Sequence, residues 1–146
     1  MRYRDKGQVH LDFHRTLNGT IAYLREKYGQ DFLDEIYRRT AREVYVSIHD
    51  DLKRGNPEQL AEHWAYYFDR EGGGYTIERK EGEIRMTVHR CPAIAYLMSR
   101  GIQVDPAFCR QTAIVNATLA EGSPFEITTD VLGGGRCVQT IRRVRP

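Results

Sequence analysis

No run of apolar residues approaches the ~18 needed to cross a bilayer, so no membrane span is expected. The opening segment MRYRDKGQVHLDF lacks the apolar stretch of a secretory signal, and a cytoplasmic chain is the expectation. Cysteines are few and odd in number, at three. A disulfide framework is therefore not the default; thiol chemistry, metal binding or packing are. Charge of one sign is also lacking: 22 Lys and Arg face 20 Asp and Glu, for a net +2. No nucleic-acid partner is called for. The one basic concentration, IRRVRP with Arg142, Arg143 and Arg145, fits a solvated strand end. Whole motif classes are missing too. EGGGY precedes a strand and GGGR links two, so neither glycine run is a phosphate loop opening a helix. There is no metalloprotease helix motif, no paired-cysteine zinc motif, no G-x-S-x-G elbow, and no internal repeat. What remains is a 146-residue chain, 40% hydrophobic and 29% charged. It is of a size and composition for one domain, residues 1–146, with a core of its own.

The periodicity changes in kind along the chain. Leu17, Ile21, Leu24 and Tyr28 recur at helical spacing and predict a helix from Asp12 to Tyr28, stopped by Gly29. Phe32, Leu33, Ile36, Tyr37, Val44, Ile48 and Leu52 predict a second, from Asp31 to Lys53. GNPEQLAEHWAYYF predicts a third, with Asn56 as N-cap, Pro57 first and Gln59 at the capping-box position. From residue 75 the pattern is β. YTIERK and EIRMTVHR flank Glu81-Gly82 as a hairpin. A short helix from Pro92 ends at Gly101, and another opens at Asp105-Pro106. PFEITTDV and CVQTIRRV then form a second hairpin around LGGGR. The expected fold is α+β: N-terminal helices packed on an antiparallel sheet of two hairpins joined by a helical crossover.

Chemistry concentrates where EIRMTVHRCPAIAYL turns from strand to helix. With Pro92 first in a helix, Cys91 is its N-cap, where free amides and the dipole favour thiolate. His89, two residues earlier on the strand, is expected on the same face as Cys91, able to take its proton or share a metal. Arg85, on that face again, could hold a substrate carboxylate. Cys109 falls one turn into the next helix, beside a stripe with Ala113 and Asn116. Cys137 opens the last strand after three glycines that permit close approach of backbone or ligand. For each cysteine, plain packing is the competing reading. His10 and His14 are four apart, but Asp12 as N-cap places His10 outside the helix and weakens a shared metal face. His49 and His63 sit among charged neighbours, where solvation or capping suits them. Tyr45, Trp64, Tyr66, Tyr67 and Phe68 suit a core, or the wall of a ligand pocket.

VHRCPAI, then FCRQT, then GGGRCVQTIRR resemble, in order and spacing, the L-2-amino-thiazoline-4-carboxylic acid hydrolase-like family. The match spans roughly residues 83 to 143; the helical first half agrees in character. The layout is also similar to vinyl-reductase-type small-molecule-binding domains. The resemblance implies a small-molecule hydrolase that opens a thiazoline-type ring by attack at the amidine carbon, with Cys91, Cys109 and Cys137 at the matching positions. One departure stands out: the family's acidic residue after the second cysteine has no counterpart in CRQT. Two functions follow from the sequence. In one, Cys91, His89 and Cys109 are catalytic, with Arg85 and Cys137 binding substrate. In the other, the protein is a non-catalytic module that binds a small molecule or metal in a cysteine-lined pocket. No cofactor is specified, a homo-oligomer stays open, and a partner docking on the tyrosine-rich helices is a third reading.

Overall fold

The computed structural model describes residues 3 and 6–144. Helix α1 (Phe13–Tyr28) ends at Gly29, whose φ of 87° places it where a side chain would be strained. The helix predicted from Asp31 to Lys53 is two, α2 (Gln30–Val44) and α3 (Val46–Lys53), parted at Tyr45. The β-branched residues on either side of the break are weak helix formers. Val44 and Val46 point to solvent, while Tyr45 packs inward. Helix α4 (Glu58–Arg70) begins one residue later than the cap signal predicts, with Pro57 rather than Asn56 as N-cap. Asn56 Oδ1 still accepts the Glu58 amide at 3.1 Å, but Gln59 Oε1 is buried without a partner among the described residues, so no capping box closes.

Strands β1 (Gly74–Lys80), β2 (Glu83–Arg90), β3 (Phe125–Gly133) and β4 (Arg136–Arg143) form one antiparallel sheet in the order β1-β2-β4-β3. Helices α5 (Pro92–Ser99) and α6 (Arg110–Leu119) make the crossover between the hairpins. Among the described residues, six helices and this sheet give an α+β fold. The last helix starts later than Asp105-Pro106 implies. Asp105 does accept the Ala107 amide at 2.8 Å. But Phe108 and Arg110 bond back three residues, to Asp105 and Ala107, so the segment is a tight turn before the helix. Asn18 holds that turn from α1, accepting the Asp105 amide at 2.9 Å.

Two apolar clusters result. The inner sheet face (Ile84, Met86, Val88, Ile127, Ile141) packs on Ile48, Leu52, Leu60, Trp64 and Leu119. Ile21, Leu33, Tyr37, Ile94, Leu97 and Phe108 form a second cluster among the helices. Each such fully buried side chain contributes roughly 1.5–3 kcal/mol. Cys91 and Val115 touch both clusters. Tyr28, Phe32 and Val44, which share the helical stripe in sequence, are exposed; Tyr28 and Phe32 instead pair their rings 4.9 Å apart. Arg142 pairs with Glu83, and Arg143 donates to the Gly55 carbonyl at 2.8 Å. Arg145 lies outside the described residues. Among the described residues, no helix is long and apolar enough to cross a membrane.

Candidate functional site

The strand-to-helix junction contains a bulge. Tyr75 of β1 pairs with Val88, and the next residue back, Gly74, pairs with Arg90. His89 is the extra residue. A bulge advances one strand by a residue and reverses its in–out alternation beyond that point. Val88 therefore faces the core, His89 and Arg90 face solvent, and Cys91 faces inward again. The expectation that His89 and Cys91 share a face is corrected by this one residue. His89 does share a face with Arg85, but it is the outer one. There Arg85 lies 3.5 Å from Glu83, and His89 Nε2 is 3.4 Å from Thr76 Oγ1. Neither lines the cavity described next.

The three cysteines converge. All line one cavity of about 830 Å³ between α1, α4, the α5–α6 segment and the β3–β4 turn. Cys91 is the N-cap of α5, in extended conformation before Pro92. Its amide donates to the Gly135 carbonyl at 2.8 Å, which ties the junction to the glycine turn before Cys137. Cys109 stands at the N-cap of α6, not a turn inside it. The helix end does not make a thiolate of Cys91. Burial pushes its thiol above the ordinary range and outweighs the amides of Ile94 and Ala93, neither of which closes a capping hydrogen bond; the Glu71 carboxylate raises it further. Burial also raises Cys109, with Cys91 adding to it, and pushes Cys137 up to about 12, with Cys91 and Cys109 adding to the effect. All three should consequently alkylate far more slowly in the folded protein than in urea at neutral pH. Peptide mass spectrometry of iodoacetamide-treated protein measures this. Reaction of Cys91 at the free-thiol rate would contradict the burial argument.

Of the polar groups of the cavity, sequence patterning raises His14 only as a metal partner of His10, His63 only as a solvated or capping residue and Asn116 only on a stripe with Cys109, and it does not raise Glu71 or Gln139. His14 and Glu71, from α1 and the end of α4, meet at 2.8 Å through Nε2 and Oε2 with side chains only 7% and 11% exposed. His10 lies before α1, exposed, and shares no helix face with His14. His63 is not a solvated helix residue. It lines the cavity edge-on to the rings of Tyr45 and Tyr67, with centroids 5.3 and 4.7 Å away. Asn116 Nδ2 donates to Gln139 Oε1 at 2.8 Å and to Thr129 Oγ1 at 2.9 Å, a polar floor across α6, β3 and β4. His49, by contrast, bonds the Glu121 carbonyl just past α6, a capping role. Among the described residues, no three His, Cys, Asp or Glu side chains are disposed to hold a metal ion.

Fold and site together define an α+β protein with an aromatic, thiol-lined cavity between helices and sheet. Compared with family models, curated proteins and solved structures, the chain matches none.

Proposed function

We propose that this protein binds a small, largely apolar molecule in the cavity where the three cysteines meet. The observation that supports it is the cavity itself: about 830 Å³, walled by Trp64, Phe68, Phe108 and Val115 and set with a few buried polar groups. Ligand sites are typically about 300–1,000 Å³, apolar, with a small number of placed polar atoms. The chain has one tryptophan, Trp64, and it lines the cavity. Intrinsic fluorescence therefore reports occupancy directly. A screen of small aromatic molecules should yield saturable changes in Trp64 emission. Val115→Phe, which narrows the cavity, should weaken those hits by about tenfold or more. Hits unaffected by Val115→Phe would place the ligand elsewhere.

A hydrolase is the second reading, favoured by one observation: the three cysteines that carry the thiazoline-hydrolase resemblance line the same cavity. In that reaction the Cys91 sulfur adds to the sp² carbon of a cyclic amidine as the C=N π pair moves to nitrogen; the ring C–N bond then breaks with that nitrogen taking a proton, and water cleaves the new C–S bond to free Cys91. Glu71, whose charge acts on Cys91, takes the thiol proton in place of His89. Cys91→Ser should abolish turnover of a thiazoline-type substrate and leave Trp64-detected binding intact. Undiminished turnover in that variant would remove Cys91 from the mechanism.

A further inference from the structure

We infer that the cavity is built for a protonated amine carried on an aromatic or branched apolar body, with Glu71 as its counter-charge. This deepens the ligand-cavity reading and rests on it. Glu71 is a carboxylate in the cavity wall with 11% of its side chain exposed. A buried carboxylate is costly unless a cation or several donors satisfy it. Among the described residues its one ionic partner is His14, and only Oε2 is engaged. Arg70, its neighbour in sequence, donates instead to the Tyr66 hydroxyl and the Gly7 carbonyl, and Arg90 donates to the Gly72 carbonyl.

His14 does not neutralise the carboxylate well. Its Nε2–H donates to Glu71, but its Nδ1 is buried with no hydrogen-bond partner among the described residues. An imidazolium would carry a second N–H with nothing to accept it, and an unmade charged donor costs more than an unmade neutral acceptor. The pairing satisfied at least cost is a neutral imidazole donating to an ionised Glu71. The pair then holds a net negative charge in a wall shared with Trp64, Tyr67, Phe68 and Phe13. An ammonium group answers both features, since it donates to the free carboxylate oxygen and is attracted to aromatic faces.

The cavity wall also carries a cation, Arg136, which lies in its exposed part without a carboxylate partner among the described residues. Water and salt screen an exposed charge, and they screen a buried one much less. Asp105, the other carboxylate in the wall, is already paired with Arg25 at 2.8 Å, so Glu71 dominates selection.

Three probes of similar body separate the possibilities: 2-phenylethylamine, 2-phenylethanol and 3-phenylpropanoate, each titrated against the full chain by calorimetry and Trp64 fluorescence at neutral pH. The amine should bind about tenfold or more tighter than the alcohol. Glu71→Gln, close in shape, should erase that preference and leave the alcohol's affinity nearly unchanged. An alcohol equal to the amine, or a propanoate that binds best, overturns the amine inference while leaving the cavity reading in place. If none of the three gives a signal, the cavity reading fails with it. Should Glu71→Gln not fold, the wild-type ranking decides alone.

Discussion

Acidification from neutral pH to about pH 4 should remove on the order of 3 kcal/mol of stability through His63 alone. The imidazole sits among the rings of Tyr3, Tyr45 and Tyr67, and its Nδ1 is buried without a partner among the described residues. Burial holds its pKa down at about 4, against 6.5 for the free side chain. Between those values the unfolded chain binds a proton that the folded chain refuses. The stabilisation is complete above the unfolded pKa, is lost as pH falls toward about 4, and changes no further below it. Asp34 and Asp105 continue the loss at lower pH. Arg110 and Arg25 hold these carboxyls below the ordinary range, so their contribution is present above the unfolded carboxyl pKa and disappears as pH falls through the folded one. Urea denaturation between pH 7 and 4 tests the first step. His63→Phe keeps an aromatic ring in the cage and removes the titrating nitrogen, so its stability should be nearly flat over that interval. A slope equal to wild type would show that the acid sensitivity originates elsewhere.

His63 also shows what local sequence cannot convey. It lies between Glu62 and Trp64 on a helix, and charged neighbours in sequence suggest solvent. Its burial comes from α4 packing beside Tyr45, which turns inward only because α2 and α3 part there. The element order was legible because each signal is local: Asn56-Pro57 caps, Gly29 and Gly101 stops, and period-two alternation in EIRMTVHR all act within a few residues. The site was half legible. Cys91 as N-cap follows from Cys-Pro after a strand, and its place in the cavity agrees. His89 misled because face assignment by parity assumes an unbroken ladder, and one bulge reverses every residue beyond it. Glu71 and His14 are 57 positions apart. No spacing rule joins residues that far apart; only the docking of α1 against the end of α4 does.

Gly135→Ala should destabilise the protein by about 2–4 kcal/mol, whereas Gly134→Ala, one residue earlier, should cost about 1 kcal/mol. Both glycines have left-handed backbones, with φ of 76° and 59°, so alanine is strained at either. They differ in surroundings. A Cβ at Gly134 meets nothing within 4 Å, but one at Gly135 comes within 3.3 Å of Ile94 and 3.6 Å of Cys91. Ile94 is buried in the helical cluster and has little room to give. The extra methyl must push the β3–β4 turn off the start of α5. That movement also pulls on the bond from the Cys91 amide to the Gly135 carbonyl, which seats the cysteine. The two variants should therefore differ in a second observable: Cys91 alkylation should accelerate in Gly135→Ala and stay slow in Gly134→Ala. Equal melting temperatures and equal Cys91 rates would mean the turn yields without disturbing the junction. A selective rise at Cys91 would mean that what keeps this thiol buried is the glycine that lets backbone lie against it.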